Sequence, residues 1–262
     1  MADETRWSVS DALDSNQRLL PFLPYLLQDL WALGSDVESI IRCVGALPFK
    51  PGRAKVLDLG CGKGAVLIRI AREFGFRVVG IDAMEDFIHD ARDRSRQHQV
   101  DHFCTFEHQD MHDYLQYPHD FDIVILASLG SVLGMWPETV SALRGQIRPG
   151  GYMIIDDGYL HTTENLHRKG YAHYRDHDRT IRELTSRGDR IFAEVSTAAA
   201  TEQINREYLQ VIRRRGDELA QIHPELRTAL TEYIALQEEE CRVIAGHIAG
   251  ALWVVQKVET SE

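Results

Sequence analysis

Apolar residues along this chain follow two rhythms. Between residues 55 and 157, short Val/Ile-rich runs alternate with stretches in which apolar positions recur every three or four residues. Strands are expected at about 55–60, 76–82, 103–109, 121–127 and 151–157, and helices at about 63–74, 84–98 and 137–147. That alternation predicts a parallel sheet with helices on both faces. Pro149, Gly150 and Gly151 turn the chain into the fifth strand, and residues 191–195 and 251–255 supply a sixth and a seventh.

The interval before the last strand changes period. Ile204, Tyr208, Val211 and Ile212 form one helical stripe; Leu226, Leu230, Tyr233, Ile234, Cys241 and Ile244 form another beyond Pro224. A helical pair there is a cap or an association surface, and leaves room for a homodimer. At the other end, residues 1–16 are polar and expected to be loosely ordered. Leu19 to Trp31 is strongly apolar, but Pro21 and Pro24 confine any helix to the part from Tyr25 onward. Ser35 and Glu38 have capping-box spacing ahead of Ile40, Ile41, Val44 and Leu47. The expected organisation is an N-terminal helical extension (1–52), a Rossmann-like core (53–196), a helical cap insertion (197–248) and the last core strand (249–262).

The first strand ends in Asp58-Leu59-Gly60-Cys61-Gly62-Lys63-Gly64, and a helix follows. Glycine suits a sharp strand-to-helix turn where a ligand approaches the backbone. Gly60, Gly62 and Ala65 also satisfy the dinucleotide spacing G-x-G-x-x-G/A, so the glycines alone admit NAD or FAD. Asp58 argues otherwise. A pyrophosphate at the helix N-terminus would be repelled by an adjacent carboxylate, whereas the ammonium and sulfonium of S-adenosylmethionine would be attracted.

The string from Asp58 to Gly64 resembles motif I of the class I S-adenosylmethionine-dependent methyltransferases. Asp82, ending the second strand, suits ribose hydroxyls, and Ala83 follows it. The resemblance implies that Asp110 and Met111, after strand three, flank the adenine, and that Ser128, after strand four, flanks the methionyl part. With Gly60, Cys61 and Gly62 these complete the expected cofactor set. The C-terminal half is similar to an uncharacterised bacterial branch of small-molecule methyltransferases, whose acidic-Gly/Pro-Tyr-aromatic segment stands here as Asp157-Gly158-Tyr159-Leu160. The resemblance implies a seven-stranded, mostly parallel α/β sheet and methyl transfer to a small molecule.

Composition narrows the alternatives. A net charge of −11 disfavours nucleic-acid backbones, and the Ala127-Ser128-Leu129-Gly130 segment lacks the Asn/Asp-Pro-Pro-Tyr/Phe pattern of nucleic-acid methyltransferases. The four cysteines form no C-x-x-C pair, and no long apolar run or signal-peptide core appears, so a cytoplasmic protein without membrane, zinc or disulfides is expected. An NAD(P)-dependent oxidoreductase is the main rival, although Thr163 stands where a short-chain dehydrogenase would place a lysine after Tyr159. A non-catalytic cofactor-binding regulator is the other.

Methyl transfer needs alignment above all, and a general base where the nucleophile carries a proton. Asp156, Asp157, Tyr159 and His161 follow the expected fifth strand, with His161 the best base by its ordinary pKa. His173 and His177 are spaced one helical turn apart, but a solvated charged lid explains residues 161–177 better than a metal site. If that lid faced the pocket, Arg168, Lys169, Arg175 and Arg179 would suit a carboxylate- or phosphate-bearing acceptor.

Overall fold

Seven strands form one sheet in the order β3-β2-β1-β4-β5-β7-β6. Their ranges are β1 Lys55–Leu59, β2 Arg77–Asp82, β3 Cys104–His108, β4 Phe121–Ala127, β5 Ile147–Leu160, β6 Arg190–Ser196 and β7 Ile248–Gln256. The computed structural model describes residues 17–162, 166 and 170–258. All pairings are parallel except those of β7, which runs antiparallel to both β5 and β6. The order reverses between β1 and β4, which places the topological switch at the glycine turn.

Between β1 and β6 the connecting helices among the described residues are α3 Ala65–Phe74, α4 Glu85–Gln97, the short α5 Met111–Tyr114, α6 Trp136–Arg144 and α7 His177–Leu184. Val66, Leu67 and Ile70 pack with Val56, Val78 and Ile123 in one apolar cluster. In a second cluster, Trp136, Val140 and Leu143 meet Leu57, Val124 and Trp253. The central strand β4 is buried on both faces, as its continuous apolar run requires.

The N-terminal helix α1 Leu23–Leu26 packs with the insertion helices α8 Ala198–Ile222 and α9 Arg227–His247, whereas α2 Val37–Gly45 packs through Ile40, Ile41 and Val44 in the cluster of Val56, Val66 and Ile70. Leu19, Leu23 and Leu26 share a third apolar cluster with Ile212, Leu219 and Leu230. Thus the segment around α1 and the insertion, separate in sequence, pack as one cap. Asp29 bridges Arg214 and Arg215, and Tyr25 Oη donates to Glu218.

Three local expectations shift. The cap of α2 is Asp36 rather than Ser35: its carboxylate accepts from Ser39 N and Ser39 Oγ, a geometry that the shorter serine cannot duplicate. Strand β5 starts at Ile147 and absorbs Pro149 and Gly150 as an irregularity between the Phe121 and Ile123 pairings. It also continues past Asp157 to Leu160, because Gly158, Tyr159 and Leu160 find partners in Gly250, Ala249 and Ile248 of β7.

Candidate active site

Three strand ends are bound together at the glycine turn. Gly60 N and Cys61 N donate to Ile81 O at 2.8 and 3.0 Å, and Gly62 N donates to Asp82 Oδ2 at 2.8 Å. The turn runs through positive φ at Gly60 (74°) and Gly62 (51°), a region that side chains with a Cβ rarely occupy. A Cβ on Gly60 would also lie 2.5 Å from Leu129 Cδ1. Asp82 Oδ1 accepts from Met84 N at 2.8 Å, so this one carboxylate fixes both the turn and the start of α4. Gln109 N donates to Asp82 O, and His108 Nε2 lies 3.1 Å from Ala83 O, which draws in the end of β3.

Asp58 is buried, and no hydrogen bond from a described residue supports it. Burial, reinforced by the neighbouring charge of Asp82, raises its pKa well above the usual carboxylate range. Asp82 is raised by burial too, against the lowering effect of its backbone hydrogen bonds. Asp110 caps α5 by accepting from His112 N at 2.7 Å, and Met111 is partly buried beside it. Ser128 is exposed and held at φ 57°, with its N donating to Asp156 O at 2.8 Å. A non-glycine residue in that region marks backbone held in place by its surroundings.

Residues 27–36 run across these strand ends like a strap. Lys63, fully buried within the turn, reaches Leu27 O at 2.7 Å and Asp90 at 3.5 Å, and Trp31 Nε1 donates to Lys63 O at 3.0 Å. Leu33 lies against Gly62, Gly34 against Ser128, and Asp36 N donates to Asp156 Oδ2 at 3.0 Å. No periodicity in the chain points to this role of Lys63; a lysine inside a glycine turn is the one signal for it.

A cavity of about 260 Å³ opens between the ends of β4 and β5 and the helices α8 and α9. Ser128, Asp156 and Asp157 form its sheet side, and Tyr208, Gln237 and Glu240 its cap side. Asp157 is paired with His173, whose Nε2 lies 3.1 Å from Asp157 Oδ2 and whose Nδ1 lies 3.0 Å from Gly170 O. Both ring nitrogens of this buried imidazole therefore lie within hydrogen-bond reach of an oxygen. The Tyr174 hydroxyl also hydrogen-bonds Asp157, and burial raises that phenol well above its ordinary pKa.

Of the expected catalytic candidates, Asp156 and Asp157 line the cavity, and Tyr159 and His161 do not. Tyr159 points to the Trp253 side of the sheet and packs edge-on against His177. His161 is exposed beyond the end of β5, with its N donating to His247 O. His173 precedes α7 rather than sharing a helix with His177, which pairs with Glu194 at 2.8 Å. Among the described residues no group of three or more His, Cys, Asp or Glu gathers to hold a metal. Arg175 and Arg179 both turn to Glu183, while His167, Arg168 and Lys169 lie outside the described residues.

Burial lifts Asp156 to about 7, against the lowering effect of the Asp36 hydrogen bond. An unfolded aspartate titrates near 3.8, so the folded chain holds the extra proton between about pH 4 and 7. Stability is therefore lost as pH rises through that window, and the penalty is complete above it. Asp156→Asn keeps an oxygen for Asp36 N and should flatten this decline. Urea unfolding at pH 5 and pH 8 should show the variant gaining on the parent at the higher pH.

Comparison with known proteins follows the same lines. A family described as a methyltransferase domain matches residues 52–216. The chain is similar to 27-O-demethylrifamycin SV methyltransferase of Amycolatopsis mediterranei, 36% identical over 121 residues, or 45% of this chain and 43% of the relative. It is 30% identical over 123 residues to the uncharacterized protein YjhP of Escherichia coli, covering 46% and 49% of the two chains. These matches span less than half the length of each curated relative. Its fold is similar to that of a SAM-dependent methyltransferase from Geobacter sulfurreducens solved with S-adenosylhomocysteine, with TM-score 0.76, 18% identity, and coverage of 92% of this chain and 98% of the other.

Proposed function

The chain belongs to the methyltransferase-domain family, and from that premise we propose that it transfers a methyl group from S-adenosylmethionine to a small-molecule acceptor. The observation that carries this reading is Asp58: a buried carboxylate without a hydrogen-bond donor beside a glycine turn. A pyrophosphate there would add a second anion to an acid already destabilised as one, whereas a cationic ligand would relieve it. The donor set fits S-adenosylmethionine, with Asp82 for the ribose, Asp110 and Met111 for the adenine, and Ser128, Gly60, Cys61 and Gly62 around the amino-acid part.

When bound, the cofactor supplies an electrophilic methyl group on a sulfonium. The protein's own work is alignment and exclusion of water. Asp82 fixes the turn, the strap of residues 27–36 covers the strand ends, and the cavity beside Asp157 presents the acceptor. Its volume of about 260 Å³ suits a small molecule, in keeping with the name of the rifamycin relative. Among the described residues, no helix is long and apolar enough to cross a membrane, and we place the activity in the cytoplasm. Dimerisation through α8 and α9 belongs to the same proposal.

Incubation with methyl-tritiated S-adenosylmethionine and a metabolite extract tests the acceptor class. Label should appear in the low-molecular-weight fraction. Label confined to RNA, DNA or protein would overturn the small-molecule reading.

A further inference from the structure

Three carboxylates reach the cavity from two sides. Asp156 and Asp157 come from the end of β5, and Glu240 comes from α9 with Tyr171 Oη donating to it at 2.8 Å. Among the described lining residues there is no lysine or arginine. Arg175 and Arg179, whose charge would have suited an anionic acceptor, are engaged by Glu183 instead. The cap adds an independent feature. Gln237 is 94% buried in the cavity wall, yet its Nε2 has no partner among the described residues. A carboxamide can present either its nitrogen or, turned over, its oxygen. An unpaired one inside a cavity is costly until a ligand pairs it.

Resting on the methyltransferase reading, we propose that the acceptor is a small amine, recognised by Glu240 and Gln237 of α9 and drawn as an ammonium to Asp157. The two neighbouring aspartates divide the work because their surroundings differ. Asp157 is hydrogen-bonded by His173 and the Tyr174 hydroxyl. Asp156, buried and supported by a single backbone N–H, takes a proton readily near neutrality. An ammonium entering the cavity gives one proton to Asp156, which exposes the nitrogen lone pair. That pair forms the N–C bond to the methyl group while the C–S bond breaks and its electrons remain on sulfur. The product leaves as the methylated ammonium, and Asp156 returns its proton to solvent. Tyr171, Tyr174 and Tyr208 also line the cavity.

The test uses three matched probes, phenethylamine, phenethyl alcohol and phenylacetate, titrated calorimetrically into the full chain saturated with S-adenosylhomocysteine. The amine should bind about tenfold tighter than the alcohol, and the acid should not bind. Glu240→Gln and Gln237→Leu should each erase most of that preference while S-adenosylhomocysteine affinity stays unchanged, which also shows that the variants are folded. Equal binding of the three, binding of none, or preference for the acid would overturn the inference while leaving the methyltransferase reading intact. Failure of S-adenosylhomocysteine itself to bind would remove that reading, and the inference with it.

Discussion

Asp82→Ala should weaken S-adenosylhomocysteine binding by about two orders of magnitude. Its carboxylate accepts from Gly62 N and Met84 N at 2.8 Å each, so the substitution releases the turn from β2 and uncaps the start of α4. Hydrogen bonds to a charged group contribute about 1.5–3 kcal/mol each, and ribose hydroxyls would lose the same acceptor. Asp82→Asn keeps one acceptor oxygen for one of the two amides and should lose closer to tenfold. Isothermal titration, with circular dichroism to confirm that each variant is folded, checks both. Binding of the alanine variant within threefold of the parent would mean that the turn holds without Asp82 and that the ribose lies elsewhere.

The largest expected effect on stability is at Trp253. This side chain is fully buried in β7, the strand that joins β6 to the rest of the sheet, and it packs against Trp136 and Tyr159 at ring distances of 5.9 and 6.4 Å. Trp253→Ala should cost about 3–5 kcal/mol, from lost transfer energy and the cavity left behind. Trp253→Phe keeps an aromatic ring in the site and should cost clearly less than the alanine variant. The indole Nε1 has no hydrogen-bond partner, so removing it forfeits no bond. Urea unfolding of the two variants measures the difference directly. A phenylalanine variant as unstable as the alanine one would show that the indole nitrogen is satisfied.

What could be read from the sequence follows from how local each determinant is. Strands β1, β2 and β4 are legible because each is a largely apolar run bounded by glycine, proline or aspartate within a few residues. Asp58 and Asp82 were legible because strand ends at a topological switch are where ligands are met. The far end of β5 was not, since the residues that extend it to Leu160 lie in β7, some 90 positions on. His173 was hidden for a related reason. Its pairing with Asp157 depends on the path of the chain through residues 161–176, and no periodic pattern encodes that path. Conversely, His161 has the right chemistry at the right place in sequence, but strand pairing carries it past the cavity. The cap was read as two pieces because Leu19 and Leu230 reveal their shared core only in three dimensions. Gln237 lies in a helix rich in polar residues, where nothing in sequence separates a cavity wall from a solvated face.

The central claim is the choice of a methyl donor over a dinucleotide, and it rests on Asp58. The most direct measurement extends the calorimetric titration of the parent chain to S-adenosylmethionine, S-adenosylhomocysteine, NAD and NADP. The account predicts micromolar binding of the two sulfur nucleosides and none of the dinucleotides. Binding of NAD or NADP, with no affinity for S-adenosylhomocysteine, would contradict it.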